Sequence, residues 1–134
     1  MLWSVITLAG IEDASCVIEG FTIRNGYAPL GGGIRCNWAN ATIRHNVITS
    51  NTAFGVYPAG IGGGIFETGG DVLFNHITSN TAQYRGGGIA SSDGGDIRGN
   101  IIEYNQVVAP PGPNSSIGGG VDGARNVVGN TIRH

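Results

Sequence analysis

The feature that most limits the fold of this chain is a glycine triplet that recurs four times. Each triplet is followed by Ile or Val, and the copies begin 31, 24 and 32 residues apart, at 31–34, 62–65, 86–89 and 118–121. A second block follows each triplet and repeats the pattern Ile/Val-x-x-Asn-x-Ile, extended by x-x-Asn in all but the last copy, at 43–51, 72–80, 97–105 and 127–134, with a degenerate first copy at 18–26. Self-similarity at this period is typical of solenoids.

Within each block the apolar residues are mostly β-branched and two or three positions apart, which predicts short strands of three to five residues joined by tight bends. A unit of 24 to 32 residues with about three such strands cannot bury its apolar face alone. Stacking the units makes one continuous core. The sequence therefore predicts an all-β, right-handed parallel β-helix of about five coils, the hand following from the general preference of parallel crossovers.

Column alignment predicts which side chains share the inside of the solenoid. Two inward apolar stacks are expected, one of Ile34, Ile65, Ile89 and Val121 and the other of Ile48, Ile77, Ile102 and Ile132. Two asparagine columns are expected at the corners, one of Asn46, Asn75, Asn100 and Asn130 and the other of Asn51, Asn80 and Asn105. Side-chain amides stacked at the ~4.8 Å strand spacing can hydrogen-bond along the stack.

Composition limits the classes of partner. The 134 residues fit a single domain, 1–134, either complete or a segment of a longer β-helix. The net charge is −2 and the chain has no lysine, so we expect no nucleic-acid partner and no lysine Schiff base. No apolar run reaches the roughly 20 residues that a membrane helix needs, and residues 1–20 do not read as a signal peptide. The compartment stays unknown on these grounds.

The pattern Gly-Gly-Gly-Ile followed by Ile-x-x-Asn-x-Ile-x-x-Asn-x-Ala resembles the parallel β-helix repeat of pectate-lyase-like and polymorphic-outer-membrane-type surface proteins. The resemblance covers nearly the whole chain. It implies an extracellular or surface location, and enzymes of this kind usually carry clustered Asp with Ca²⁺, or Lys, Arg and His, on one outer face. This chain has neither an Asp-Asp pair nor a lysine. The resemblance is specific for the fold and poor for activity.

Asp71 and Asp96 are the one candidate carboxylate pair, each preceded by Gly-Gly and expected one coil apart. Carboxylates about 5 Å apart match a retaining glycosidase, and with further oxygens they suit Ca²⁺. The pattern favours ordinary turn chemistry, in which each Asp bonds nearby backbone. No catalytic or metal-binding residue is therefore assigned, and Ca²⁺ remains the one alternative cofactor.

The segments that follow the second asparagine vary in length, and they predict a binding groove. The long ones, 52–61 and 106–117, are expected to flank the short turn that carries Tyr84 and Arg85, with Phe54, Tyr57 and the segment 110–113 as walls. Aromatic rings beside an Arg suit stacking on sugar rings and holding acidic groups. Variable loops that merely shield the core are the plainer interpretation.

These features favour a non-catalytic module with an interaction or polysaccharide-binding surface. The alternatives are a fragment of a polysaccharide lyase or glycoside hydrolase, and a structural segment of a surface protein.

Two further expectations concern the cysteines and the solenoid ends. The alignment puts Cys16 in the column of Ala41, too far along the coil from Cys36 for a disulfide, so both thiols are expected to be free and mostly buried.

Neither end of the solenoid shows a polar cap in the sequence. Apolar side chains are therefore expected to be exposed at the front (Ile18, Phe21, Ile23) and at the back (Val121, Val127, Ile132), with a homodimer through one open end, the C-terminal coil.

Overall fold

The computed structural model describes residues 2–91, 94–108 and 118–134. Its regular secondary structure within those ranges consists of β-strands of two or three residues. Strands of successive coils pair in parallel in every ladder between named strands. The prediction of an all-β parallel β-helix is confirmed.

The described strands form four complete coils and three strands of a fifth. The first coil contains β1 (Ile6–Thr7), β2 (Val17–Glu19), β3 (Thr22–Arg24) and β4 (Tyr27–Ala28). The second contains β5 (Ile34–Arg35), β6 (Thr42–Arg44), β7 (Val47–Thr49) and β8 (Thr52–Ala53). The third contains β9 (Ile65–Phe66), β10 (Val72–Leu73), β11 (His76–Thr78) and β12 (Thr81–Ala82). The fourth contains β13 (Ile89–Ala90), β14 (Asp96–Arg98), β15 (Ile101–Glu103) and β16 (Gln106–Val107). The fifth contributes β17 (Val121–Asp122), β18 (Asn126–Val128) and β19 (Thr131–Arg133).

Equivalent strands of the coils stack into four sheets. Sheet I has the order β1-β5-β9-β13-β17, sheet II β2-β6-β10-β14-β18, sheet III β3-β7-β11-β15-β19 and sheet IV β4-β8-β12-β16. The sequence predicted about three longer strands per coil, and this was wrong in detail. The strands are shorter and more numerous because left-handed residues interrupt them at the corners; His45 (φ 52°) separates β6 from β7, and Ser50 (φ 56°) separates β7 from β8.

Both predicted apolar stacks are present in register. Ile34, Ile65, Ile89 and Val121 are cross-strand neighbours in sheet I. Ile48, Ile77, Ile102 and Ile132 are neighbours in sheet III. The isoleucines of the inner coils are fully buried and belong to one continuous core cluster. Each sheet thus turns every second side chain into a shared core.

The asparagine columns form hydrogen-bonded ladders at two corners, as predicted. Asn80 Nδ2 donates to Asn105 Oδ1 at 3.0 Å, and Asn80 Oδ1 accepts from Asn51 Nδ2 at 3.0 Å. The same bonds link the column of Asn46, Asn75, Asn100 and Asn130. Each amide also donates to a backbone carbonyl of the preceding coil, as Asn80 does to Ile48 at 2.9 Å. Buried polar side chains at the corners are therefore well bonded.

The glycine triplets occupy places where backbones of adjacent coils nearly touch. A Cβ added at Gly63 would lie 2.4 Å from the carbonyl oxygen of Gly87 and 2.5 Å from that of Thr81. No side chain fits there. The same close approach recurs at Gly32 and Gly87, so the triplets of the second, third and fourth coils repeat one backbone contact.

The two ends of the solenoid differ, which corrects the prediction for the front. Ile18 and Ile23 are only 7% and 1% exposed, whereas Phe21 is exposed as predicted. They are buried because the N-terminal segment packs Leu8 into the same core and pairs Trp3 antiparallel with Tyr27, whose N–H donates to the Trp3 carbonyl. At the back, Val127 and Ile132 are 40% and 51% exposed, and Val121 is partly buried.

The two cysteines are free, as predicted. Cys36 is buried in the core, and Cys16 is partly buried against it. Burial raises the pKa of the Cys36 thiol to about 12. A thiol in this environment is inert rather than nucleophilic.

Candidate functional site

A groove of about 340 Å³ lies on the outer side of sheet I. Ile65 belongs to the central core and the next residue, Phe66, to a separate cluster with Ile61 and Ala90, so these two side chains of β9 point to opposite faces of the sheet. The groove is lined by Leu30, Pro58, Ile61, Phe66, Glu67, Arg85, Ala90, Ser91 and Asp122.

The glycine triplets explain why these residues meet. Leu30, Ile61 and Arg85 form a column of parallel bridges immediately before the triplets. Phe66, Ala90 and Asp122 form a column in sheet I immediately after them. A Cβ at Gly62 would lie 2.7 Å from Cβ of Phe66, so the chain doubles back closely at this point. The two columns therefore lie side by side, and their apolar members form the floor of the groove.

One ion pair crosses the groove. Arg85 Nε lies 2.6 Å from Asp122 Oδ2, and the Asp122 side chain is 14% exposed. The partners are 37 residues apart in the chain. Arg85 was predicted from the sequence and Asp122 was not, because no repeated charge pattern marks the position of Asp122 beside Ala90.

Glu67 and Ser91 lie at the corner that follows sheet I. Burial raises the pKa of Glu67, and the positive charge of Arg35 opposes this rise. Glu67 has a left-handed backbone with φ 52°. The Ser91 hydroxyl donates to the Thr68 carbonyl at 3.1 Å. Glu67 was also missed from sequence, since an isolated Glu outside the repeated blocks carries no signal.

The predicted tyrosines contact each other beside the groove. The rings of Tyr57 and Tyr84 meet edge to face with centroids 6.0 Å apart. Each directly neighbours a groove-lining residue, Pro58 or Arg85. Phe54, predicted as a wall, stacks instead with Tyr27 at 6.3 Å. The other predicted wall, 110–113, lies outside the described residues.

Asp71 and Asp96 are brought together on sheet II, one coil apart. Asp71 Oδ1 accepts the backbone N–H of Asp96 at 2.8 Å. Asp96 in turn pairs with Arg98 and accepts a hydrogen bond from Asn126. The sequence favoured bonds from each Asp to nearby backbone of its own turn, whereas Asp71 bonds backbone of the next coil and Asp96 bonds two side chains. Across the described ranges, no group of three or more His, Cys, Asp or Glu side chains is placed to hold a metal ion.

A second charged cluster lies on the outer face of sheet III. Glu103 accepts from Arg133 Nε at 2.7 Å and lies 2.8 Å from His76 Nε2. Hydrogen bonds from His76 and Arg133 lower the pKa of Glu103. This cluster lies on a sheet face rather than among the residues that line the groove.

No family model, no curated protein and no solved structure matches this chain. The fold and the groove therefore rest on the chain's own geometry. In the part of the chain that the structure describes, no helix is long and apolar enough to cross a membrane.

Proposed function

We propose that this chain is a non-catalytic β-helix module that binds a polysaccharide segment in the groove beside sheet I. The observation that carries the proposal is the groove itself, which combines a floor of Ile61, Phe66 and Ala90 with a polar rim of Glu67, Arg85 and Asp122. A sugar ring has an apolar face and a hydroxyl edge. A concave site with an apolar lining and a few fixed polar groups suits such a ligand.

The tyrosine pair supports the same proposal. Tyr57 is 44% exposed and packs against Tyr84 next to the groove-lining Pro58. An exposed tyrosine ring can stack on the apolar face of a sugar ring, while its hydroxyl group stays hydrated or bonds a sugar hydroxyl. A polysaccharide that runs past the groove would meet these rings.

The state of the carboxylates supports binding over catalysis. Asp71 and Asp96, the pair considered for glycoside hydrolysis, are engaged with backbone, Arg98 and Asn126. Asp122 is paired with Arg85. Each is committed to a contact within the protein. The repeat also resembles that of pectate-lyase-like and polymorphic-outer-membrane-type surface proteins. On that resemblance we propose a surface location for this chain.

A glycan array run beside a reducing-sugar assay tests the proposal. We expect array signal with no release of reducing ends, and loss of that signal in Tyr84→Ala. Tyr104→Ala is the matched control, because Tyr104 is exposed at the corner between sheets III and IV. Release of reducing ends would instead support the alternative of a lyase or hydrolase fragment. No signal in either assay would favour the remaining alternative, a structural segment of a surface protein.

We also propose that the isolated chain forms a homodimer through its C-terminal coil. The strands β17, β18 and β19 each have a neighbour on one side in their sheets, and Val127 and Ile132 are exposed there. An unpaired strand edge with apolar side chains is a ready surface for another copy. Because Ile18 and Ile23 at the opposite end are buried, we place the contact between two C-terminal ends, and contact of like ends closes as a two-fold dimer.

A further inference from the structure

We infer that the groove beside sheet I selects a neutral saccharide over an acidic one. The inference rests on the proposed function, since it names the ligand class of the same groove. It changes the expectation drawn from sequence, in which Arg85 would hold acidic groups.

The charges of the lining residues carry the argument. Among the nine described residues that line the groove, Arg85 is the one cation and Glu67 and Asp122 are two carboxylates. An anionic sugar would bring a third carboxylate into this space. Arg35 also acts on Glu67, but it does not line the groove, so the lining itself holds two carboxylates and one cation and opposes a further negative charge.

Arg85 is already engaged. Its Nε lies 2.6 Å from Asp122 Oδ2, and Asp122 is the less exposed partner, at 14% against 41% for Arg85. Asp122 Oδ2 takes one N–H of Arg85, so a uronate would bind the remaining guanidinium N–H groups and bring its own carboxylate close to that of Asp122. Two carboxylates that share one guanidinium repel each other, and this repulsion opposes the binding of an anionic sugar.

A neutral sugar makes no such demand. Its hydroxyls can donate to the carboxylates of Glu67 and Asp122, and they can accept from guanidinium N–H groups of Arg85. Its apolar face can cover Phe66 and Ile61, which form the floor. The same lining that repels an anion therefore offers both acceptors and donors to a polyol.

The inference is tested by calorimetric titration of the full chain at neutral pH and low salt. The probes are two neutral oligosaccharides, cellohexaose and xylohexaose, and one acidic one, hexagalacturonate. We expect at least one neutral probe to bind at least about tenfold more tightly than hexagalacturonate. Tighter binding of hexagalacturonate would overturn the inference and leave the proposed function intact. Binding of none of the probes, together with a silent glycan array, would overturn both.

A charge-removal variant makes the test sharper. Glu67→Gln combined with Asp122→Asn removes both carboxylates and frees Arg85, so hexagalacturonate should gain affinity by about threefold or more. Glu19→Gln is the matched control, because Glu19 pairs with Arg44 on sheet II, away from the groove. Its affinity for every probe should stay at the wild-type value.

Folding of the variants is checked by circular dichroism and thermal melting. If the double variant is unfolded, Glu67→Gln alone serves, since the ion pairs of the described residues do not include Glu67 and its removal lowers the negative charge of the lining by one. The charge of Arg35, which acts on Glu67, stays in place in this variant. An unchanged preference against hexagalacturonate in a folded charge-removal variant would overturn the electrostatic basis of the inference. A shift toward the acidic probe would support it.

Discussion

Asn75 Oδ1 accepts two hydrogen bonds from Asn46, one from the backbone N–H at 2.9 Å and one from the side-chain Nδ2 at 3.1 Å. The amide of Asn75 meanwhile donates to the carbonyl of Ile43 at 2.9 Å and to Asn100. One side chain of the third coil thus bonds buried polar groups of the second and the fourth. The ladder specifies the register between coils as well as their stability, because a coil shifted by one residue would lose every rung.

Asn75→Ala should lower the free energy of unfolding by ~2–4 kcal/mol, because it leaves a buried N–H and a buried carbonyl without partners. Chemical denaturation measures this. The control is Asn130→Ala at the end of the same ladder, where Asn130 is partly exposed and water can replace the lost partner; it should cost ~1 kcal/mol. Equal effects at the two positions would contradict the role of burial.

Ile77→Ala should cost ~2–5 kcal/mol, since Ile77 is fully buried between Ile48 and Ile102 and truncation leaves a cavity. Ile101→Ala is the control: Ile101 lies on the same sheet but is exposed on its outer face, and its truncation should cost under ~1 kcal/mol. Urea unfolding of both variants compares them. A loss below about 1 kcal/mol for Ile77→Ala would contradict its place at the centre of the stack.

Gly63→Ala should be destabilising by ~2 kcal/mol or more, because the new Cβ would lie 2.4 Å from the Gly87 oxygen. Gly20→Ala separates the steric effect from the backbone effect. Gly20 has φ +78° and no atom within 4 Å of an added Cβ, so only the left-handed backbone opposes alanine, at ~1 kcal/mol. In thermal unfolding, Gly63→Ala should therefore melt at a lower temperature than Gly20→Ala. The reverse order would disprove the close approach at Gly63.

Cys36 should make stability fall at high pH. Its thiol has a pKa of about 12 in the folded chain against an ordinary value of 9.0, so the unfolded chain releases the proton first. The stability that this thiol contributes is complete below about pH 9 and is lost as pH rises toward about 12, at ~1.4 kcal/mol per pH unit. The free energy of unfolding is measured against pH by chemical denaturation for wild type and Cys36→Ala. The difference between the two curves removes the contribution of the tyrosines, which both proteins share.

Alkylation of the native chain provides an independent check on the cysteines. Cys16 is partly exposed and should label at a rate well above that of Cys36. After denaturation without reductant both should label. Failure of either cysteine to label under those conditions would reveal a disulfide and refute the free thiols.

Ile132→Asp should convert a dimer to a monomer, because it places a charge on the exposed C-terminal coil. Size exclusion with light scattering measures the mass over a range of concentrations. Ile101→Asp is the control, since it puts the same charge on the side of the solenoid and should leave the dimer intact. A wild-type chain that stays monomeric at high concentration would exclude this interface.

Much of the fold was predictable because a repeat ties sequence position to spatial position. Once Asn46, Asn75 and Asn100 are aligned, parallel stacking places every residue of one block above its counterpart, and the observed register follows. The cover over Ile18 and Ile23 was not predictable, because it is made by the segment before the first block, which has no counterpart in other coils.

The sequence by itself determined the parallel β-helix, its two apolar stacks and its asparagine ladders. These are set by side-chain volume and hydrogen-bonding capacity repeated at a fixed period. Only the tertiary structure decided the groove. Arg85 meets Asp122 across 37 residues, and Glu67 joins them from another coil, because the chain winds back to the same side of sheet I. Side chains outside the repeated blocks acquire neighbours through that winding, and local pattern carries no record of such contacts.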